Sequence, residues 1–409
     1  MKILQVIDFI LYWAIVIFPF SVGVSNGFMN TFLGFIIIAF LLKKLIKKEC
    51  IFSETEINIP LLALFLITVF SLSYSAYPKD TIKGGILRLL QYAILFFALT
   101  REIRDKRHIR RIILSIIAGV VFVSIDAAWQ VGTGRDFVRG YLPMLLIGLV
   151  RATATFSDPN TIGVYLSALA PLIFGLVLYY FKGRRKLLYG FFSLIGLLGI
   201  ALTYSRPTLL GVYVALLFLA INKRSKWLIG GSIVLILVAP FLLPKSVKQF
   251  AKEVNYNPVR FMCNDDRIAI FRNSLQMIKA SPVVGHGANT FMKNYKKYKE
   301  VPEHLNIVTA DFCYAHDNFL QIAGDIGLVG LGVFFWLLYA MFKGCGLIYS
   351  KLNDYEFKIT LLSLIACQIA FIVNGLTESS LNSSRVAVVF WYLIGFSFAF
   401  NKFIGEKES

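Results

Sequence analysis

The sequence predicts an all-α integral membrane protein, a bundle of about 12 transmembrane helices with one large outward-facing loop that contains short amphipathic helices. Hydrophobic residues make up 57% of the 409 residues, and the mean hydropathy is +0.70. A soluble core of this length cannot bury so much apolar surface. Apolar runs long enough to cross a hydrocarbon layer of about 30 Å as helices recur along the whole chain. The chain is therefore expected to fold within a lipid bilayer.

The apolar runs divide the chain into three regions. Residues 1–244 hold nine predicted spans, residues 245–325 form the large loop, and residues 326–409 hold three further spans and a tail. The first run is expected to be a retained helix because no small-residue cleavage pattern follows it. The predicted spans are 5–23, 28–42, 58–76, 85–100, 112–130, 160–180, 187–204, 208–221, 227–243, 326–342, 359–376 and 386–401.

Lysine and arginine collect in alternate short loops, and this pattern sets the predicted orientation. Basic loops resist transfer across the membrane, so these loops and both termini are expected in the cytoplasm, with the large loop on the opposite side. The basic clusters lie within Lys43–Lys48, Arg101–Arg111, Lys182–Lys186 and Lys223–Lys226.

The formal net charge of +19 is explained first by this topology and requires no nucleic-acid partner. Topology leaves unexplained an excess of basic residues on the outward side, where few acids balance them. Such an excess is typical of an anionic partner or of contact with a lipid surface. The outward basic residues are Arg151, Arg206, Arg260, Arg267, Arg272, Lys293, Lys296, Lys297 and Lys299.

The large loop contains a predicted amphipathic helix followed by a glycine-rich turn. Asp265-Asp266 provides an acidic start, an apolar stripe follows, and Ser281-Pro282 ends the helix. The stripe consists of Ile268, Phe271, Leu275 and Ile278. The glycines of the turn at Val284–Asn289 permit a tight backbone or the close approach of a ligand.

Three histidines face outward in this topology, and they are candidate functional groups. They are His286, His304 and His316. His316 precedes the tenth span, so its imidazole is expected at the membrane edge, where a neutral ring can accept a proton near pH 7. A hydrogen-bonded histidine that fixes the loop is the alternative role. Asp317 is expected to orient the ring and stabilise its charge.

Arginines on the outward side are candidates for binding a phosphate. Arg206 lies in the turn between two apolar helices and Arg267 lies on the amphipathic helix, and a guanidinium can hold a phosphate through two hydrogen bonds. An arginine that reaches to the membrane interface is the alternative. Arg151 and Asn160 are expected to line the same cavity, while Asp158 is expected to cap the sixth span.

The sequence carries no metal signature. Paired histidines at helix spacing, Cys-x-x-Cys and Asp-x-Asp are all missing from it. We therefore expect no cofactor, and we expect arginines to neutralise any phosphate leaving group. Interface solvation explains Glu378, at the outer end of the eleventh span, about as well as a function does. Cys263 and Cys313 both face outward, and the sequence leaves their pairing open.

Four short motifs occur in a fixed order on the outward side. They are Arg151 through Asp158-Pro159-Asn160, Leu202–Arg206, Arg267 through Ser281–Gly287, and His316 through Gly330. In this order they resemble the O-antigen ligase and polymerase superfamily of Gram-negative inner membranes. The most specific motif is the ligase pattern of His, then Asn, Ser or Gln, nine residues, Gly, two residues, and Gly, Thr or Tyr. This chain matches it from His316 to Gly330 except at Asp317.

The resemblance implies a glycosyltransferase C-like fold and a metal-independent, inverting enzyme. Such an enzyme moves a glycan from undecaprenyl diphosphate to a sugar hydroxyl of lipid A-core, with its active site at the periplasmic face of the bacterial inner membrane. Arg206 and Arg267 would stabilise the leaving diphosphate. His316 would act as the base, or would contact the diphosphate while proximity supplies the rate. The expected substrate-binding residues are Arg151, Asn160, Asp317, Asn318 and His286.

Other functions remain as alternatives. An O-antigen polymerase of the same superfamily would use a second lipid-linked glycan as acceptor, although the His316–Gly330 motif and the modest chain length favour a ligase. A ligase acting on protein hydroxyls would tend to carry an additional outward domain. A transporter of a sugar or anion would usually show repeated halves or helices broken in mid-membrane, and the sequence shows no repeat.

Overall fold

The computed structural model describes residues 2–146, 148–242, 245–263, 265–299 and 313–405. The helices are α1 (Lys2–Val24), α2 (Asn26–Lys47), α3 (Asn58–Phe70), α4 (Pro78–Asp80), α5 (Leu87–Glu102), α6 (Lys106–Thr133), α7 (Pro159–Tyr179), α8 (Gly183–Leu202), α9 (Arg206–Asn222), α10 (Lys226–Leu242), α11 (Lys245–Glu253), α12 (Pro258–Met262), α13 (Asp265–Ala280), α14 (Phe291–Asn294), α15 (Asn318–Lys351), α16 (Tyr355–Asn374) and α17 (Ser384–Ala399).

Shorter elements join these helices. A π-helical turn, Thr81–Ile86, links α4 to α5 without a break. Two short strands, β1 (Met144–Leu146) and β2 (Leu149–Arg151), pair as an antiparallel hairpin between α6 and α7. Turns of 3-10 helix occur at Ser71–Ser73, Tyr295–Tyr298, Ser380–Asn382 and Phe400–Phe403.

Within the described part of the chain, nine helices are long and apolar enough to cross a membrane. They are Lys2–Val24, Asn26–Lys47, Pro78–Glu102, Lys106–Thr133, Pro159–Tyr179, Gly183–Leu202, Asn318–Lys351, Tyr355–Asn374 and Ser384–Phe403. Two apolar helices, Asn58–Ser73 and Arg206–Asn222, are shorter. The prediction of an all-α membrane protein is confirmed, whereas the number of about 12 spans and the large outward loop stay predictions.

Ion pairs gather the basic loops at one end of the bundle. Lys43 lies 2.6 Å from Glu102 and also pairs with Asp8 near the start of α1. At the same end Lys106 contacts Asp354 at 2.7 Å. Lys402, near the C-terminus, donates to the carbonyl of Arg101. Asp8 and Lys402 therefore lie at the same end of the bundle as these basic residues.

Arg385 ties three segments together at the opposite end. Although it lies on α17 and is only 5% exposed, it donates to the carbonyls of Val22 at 2.7 Å and Thr155 at 2.7 Å. A third donation reaches the carbonyl of Gly23, and the guanidinium lies 3.6 Å from the ring centre of Phe156. These bonds compensate a charge that burial would otherwise make very costly.

Helix α15 begins eight residues before the predicted span and is broken inside. The boundary predicted between loop and membrane, at residues 325 and 326, falls within the helix that starts at Asn318. The backbone leaves helical geometry at Ile326 and Gly327, where the φ of Gly327 is 72°. A side-chain carbon at Gly327 would lie 2.1 Å from the carbonyl oxygen of Val283. The break therefore lets the loop before Gly285 lie directly against the helix backbone.

We expect Gly327→Ala to destabilise the protein by at least about 2 kcal/mol, because it adds both backbone strain and a clash with Val283. Thermal unfolding of the detergent-purified protein measures this. Gly332→Ala, on the same helix with open space around it, is the matched control and should be neutral or slightly stabilising, since alanine favours a helix over glycine. Equal melting temperatures for the two variants would contradict this account of the break.

Candidate functional site

A cavity of about 360 Å³ lies at the start of α7, at the end of the bundle away from the basic loops. Its position follows from the helix directions, because α7 ends near Tyr180, whose hydroxyl contacts Glu356 among the basic loops. The cavity is lined by Asp158, Asn160, Thr161, Val164, Tyr314, His316, Glu378, Ser379, Ser380, Ser383 and Val386. It thus collects the N-terminus of α7, the segment before α15 and the loop between α16 and α17.

Glu378 holds two of the predicted site residues together. Its carboxylate accepts a hydrogen bond from Arg267 at 2.9 Å, and the same guanidinium donates to the carbonyl of Thr377 at 2.8 Å. The other carboxylate oxygen lies 3.4 Å from Nδ1 of His316, which is an ion-pair contact with poor hydrogen-bond alignment. Helix α13 and the start of α15 are therefore joined through one acidic side chain.

The surroundings of His316 favour its charged form. Burial acts to lower its pKa, but hydrogen bonding to Cys313 and attraction to Glu378 outweigh burial and raise the pKa of His316 to about 9. Burial raises the pKa of Glu378, yet His316 and Arg267 together hold it below its ordinary value. At neutral pH the pair is an imidazolium and a carboxylate, so the ring has no lone pair with which to accept a proton. Of the two roles predicted for His316, this geometry favours contact with a phosphate.

Arg206 is held at the first turn of α9 by contacts with the large loop. One guanidinium nitrogen donates to the carbonyl of Phe261. The guanidinium also lies 5.3 Å from the ring centres of both Phe250 and Phe261, within the range of a cation–π interaction. These contacts hold the guanidinium of Arg206 in place. The carbonyl of Phe261, which accepts its hydrogen bond, carries only a partial negative charge and does not neutralise the guanidinium.

Arg151 and Asn160 contact each other, and Asn160 lines the cavity. Arg151, at the end of β2, donates to the side-chain oxygen of Asn160 at 2.8 Å and to the carbonyl of Thr203 at 2.8 Å. Burial lowers the pKa of Arg151, although Asp158 acts in the opposite direction. Asp158 caps α7 by accepting from the backbone of Thr161 at 2.8 Å, which is the role predicted for it.

The cations of this site repel one another. Arg151 and Arg267 each interact electrostatically with Arg206, and Arg267 also interacts with His316. Glu378 contacts Arg267 and His316 directly, and Asp158 acts on Arg151 from the cavity wall. Four cations thus lie beside a partly buried site with two carboxylates, an arrangement that favours the binding of a further anion.

The structure gives other predicted residues positions that stabilise the backbone. Asp317 caps α15 by accepting from Phe319 and Leu320, both at 2.7 Å. The acid that contacts the ring of His316 in the structure is Glu378, which the sequence did not suggest for this role. The expectation that Asp317 orients the ring is therefore not met, because its carboxylate is engaged at the helix start.

Asn318 and His286 also make local contacts. Asn318 is buried, donates to Ser380 at 2.9 Å and accepts from the backbone of Leu381 at 3.0 Å. His286 lies 3.0 Å from the carbonyl of Met277, with its ring beside that of Tyr298. Substrate binding by these residues stays a prediction.

Among the described residues no group of three or more His, Cys, Asp or Glu side chains is placed to hold a metal ion. Cys263 and Cys313 are both free thiols, and burial raises the pKa of Cys263. The predicted outward residue His304 lies outside the described residues.

Fold and site together define a multi-pass membrane protein with a cavity at the end away from its basic loops and a cluster of cations beside that cavity. Residues 191–335 match the family model described as O-antigen ligase. The match supports the O-antigen ligase and polymerase superfamily and confirms the resemblance found in the sequence. The matched region contains Arg206, Arg267 and His316, while Arg151 and Glu378 lie outside it. No curated protein matches the chain.

We expect Glu378→Gln to lower the pKa of His316 from about 9 toward the ordinary value near 6.5, because the neighbouring negative charge is lost. A group whose pKa is raised by folding adds stability that is complete below pH 6.5 and is lost as the pH rises through 9. Wild-type thermal stability should therefore fall across that window, and Glu378→Gln should flatten the decline. Imidazole NMR titration checks the pKa directly, with Glu49→Gln at the basic end as control. An unchanged His316 titration in Glu378→Gln would refute the pairing.

Proposed function

We propose that this protein is an O-antigen ligase-type glycosyltransferase that moves a glycan from undecaprenyl diphosphate to a sugar hydroxyl of lipid A-core. In this proposal the reaction is inverting and metal-independent, and it occurs at the periplasmic face of a bacterial inner membrane. The carrying observation is the cluster of Arg151, Arg206, Arg267 and His316, which are linked by electrostatic interactions beside the cavity, with Glu378 in contact with Arg267 and His316. The family match over residues 191–335 supports a membrane enzyme of glycan assembly in general terms.

The cations suit the charge that develops when the bond between sugar and diphosphate breaks. Negative charge then accumulates on the phosphate oxygens, and fixed donors in a site with little water stabilise it strongly. Arg206 is already held in place by Phe261 and its ring. Arg267 and His316, which contact Glu378 in the structure, would exchange that carboxylate for phosphate oxygens when the donor binds.

Glu378 then becomes the candidate acceptor for the proton of the attacking hydroxyl. The carboxylate loses its two cationic neighbours to the diphosphate, so its pKa rises and its basicity with it. The acceptor hydroxyl attacks the anomeric carbon from the face opposite the diphosphate, and the carbon–oxygen bond to the diphosphate breaks. The proton passes to Glu378, whose carboxylate, released from the two cations, turns away from the diphosphate toward the acceptor. In this assignment His316 binds phosphate as a cation, which is the second of the two roles expected from the sequence.

Transfer requires the cations, and this is testable with purified components. Protein in detergent is mixed with undecaprenyl diphosphate-linked glycan and lipid A-core in the presence of a chelator, and the mobility of lipid A-core on a gel reports transfer. We expect Arg206→Ala and His316→Ala each to slow transfer by about 10²-fold or more, the usual effect of removing a group that stabilises transition-state charge. Arg185→Ala, which removes an exposed arginine at the start of α8, should leave transfer unchanged.

The same assay separates the ligase from the polymerase, which the family match fits equally well. A wild-type donor that lengthens by itself while lipid A-core stays unmodified would make the protein a polymerase. Transfer that stops when the chelator is added would overturn the metal-independent mechanism. Full activity of both alanine variants would show that the reaction requires neither Arg206 nor His316, and it would contradict the role proposed for the cation cluster.

Glu378→Gln should lower kcat by about 10² to 10⁴-fold, the range for losing a general base. The apparent KM for the donor should stay the same or fall, because the competing carboxylate is gone while Arg267 and His316 remain. Steady-state kinetics with varied donor and saturating acceptor measure both constants, with Glu49→Gln as control. A raised donor KM with an unchanged kcat would assign Glu378 a purely structural role.

A further inference from the structure

A second cavity lies across the Ser380–Asn382 turn from the first. Leu381 and Asn382 line this second cavity, whereas Ser379 and Ser380 line the first. Its volume is about 140 Å³. The remaining walls come from α3, α5, α15 and α17 and are mostly apolar, including Leu64, Leu89, Tyr92, Ile322, Phe334 and Trp391. We call this cavity the lateral groove.

The helices that wall the lateral groove also face outward from the bundle with apolar side chains. On α3 Leu66 is 56% exposed, and on α5 Leu87 and Leu90 are 47% and 41% exposed. In a membrane-spanning protein such side chains contact lipid. The groove therefore lies beside the surface that lipid chains cover, and a chain can reach it from the bilayer.

One cation lines this groove. Arg88 lies within the span Pro78–Glu102 and donates to the carbonyl of Asn382 at 3.2 Å. Within the part of the chain that the structure describes, this is its one hydrogen bond, although a guanidinium carries five N–H donors. An arginine in a membrane span is costly unless it is paired, so such residues usually mark a binding site.

The acid that lines the groove does not neutralise Arg88. Asp325 accepts from the backbone of Thr290 at 2.9 Å and of Phe291 at 2.7 Å, so its carboxylate anchors the loop before α14. No ion pair joins Arg88 to Asp325 among the residues described. The positive charge of Arg88 is thus available to a ligand.

The backbone around the groove is shaped for close packing. Gly84 and Gly85 lie in the π-helical turn just before Arg88, and a side-chain carbon at Gly84 would lie 2.0 Å from Asn289. Turns of π-helix occur frequently at functional sites. The turn lets the loop at Ala288 and Asn289 form one wall of the groove.

We propose that the lateral groove binds a phosphate-bearing anionic lipid, with Arg88 contacting the phosphate and the apolar walls contacting an acyl chain. The charge of Arg88, the apolar lining and the adjoining lipid-facing surface are all matched by such a molecule. A free phosphate shares the charge but not the chain, so the two sources can be told apart by experiment.

Trp391 lines the groove and provides a built-in reporter. Replacing the other four tryptophans, Trp13, Trp129, Trp227 and Trp336, by phenylalanine leaves Trp391 as the sole emitter. The full chain is reconstituted into phosphatidylcholine vesicles, and brominated phosphatidylglycerol or brominated phosphatidylcholine is titrated in as a quencher. We expect phosphatidylglycerol to be preferred roughly fivefold, since one arginine near anionic lipid contributes about 1 kcal/mol.

Two arginine variants test whether Arg88 is responsible for the preference for phosphatidylglycerol. Arg88→Gln should reduce the preference to about one, while Arg139→Gln, an exposed arginine on the β-hairpin segment, should keep it. Equal quenching by both lipids in the parent protein, or a preference that survives Arg88→Gln, would overturn the proposal. Loss of quenching on adding inorganic phosphate would show that the groove holds a free anion and would also overturn it.

The position of the groove gives this lipid a role in the proposed reaction, a step that rests on the proposed function. A lipid held at Arg88 has its headgroup beside the Ser380–Asn382 turn, next to the cavity assigned to the donor. An acceptor lipid must lie in such a position for its sugar hydroxyl to reach the donor. Arg88→Gln should then raise the KM for lipid A-core several-fold and leave the donor KM unchanged. The quenching experiment in vesicles requires no turnover, so it tests the lipid site even if the proposed function fails. If Arg88→Gln abolishes the preference for phosphatidylglycerol but leaves the KM for lipid A-core unchanged, the groove binds lipid without taking part in the reaction.

Discussion

The need to compensate buried positive charge governs both the fold and the site. A guanidinium removed from water loses a large solvation energy, and the protein must replace that energy with carbonyls, carboxylates or rings. Backbone carbonyls and an aromatic ring compensate the buried charge of Arg385, so this residue links segments of the structure. Arg206 is held by a carbonyl and two rings and Arg267 by Glu378 and a carbonyl, and the two arginines lie close enough to repel each other. The proposed binding of an anion relies on this gathering of cations beside the cavity.

Much of the fold follows from the lengths of the apolar runs and the positions of the charged residues. The structure also shows a helix boundary that these two properties do not predict. Each predicted apolar run coincides with a helix, because a backbone in lipid must satisfy its own hydrogen bonds. The early start of α15 escaped prediction because its first turns carry Gln321 and Asp325, polar groups that the protein buries against Ala315 and Thr290 and never presents to lipid. Hydropathy records the residue type and not its surroundings.

The site was predictable to the extent that ionisable residues at a membrane edge are costly. That reasoning selected Arg151, Arg206, Arg267 and His316, which the structure places close enough to interact electrostatically. It undervalued Glu378, because an acid at the end of a helix is ordinary in any sequence and only its contacts with Arg267 and His316 distinguish it. It also included His286, whose part in substrate binding stays a prediction.

The contacts of Arg385 have a consequence for assembly. Its three carbonyl partners belong to the end of α1 and to the segment before α7, yet the arginine itself lies on α17. Arg385 is synthesised 230 residues after Thr155, so these contacts form only after α17 has joined the bundle. The closing of this end of the bundle is therefore a late event in the assembly of the protein.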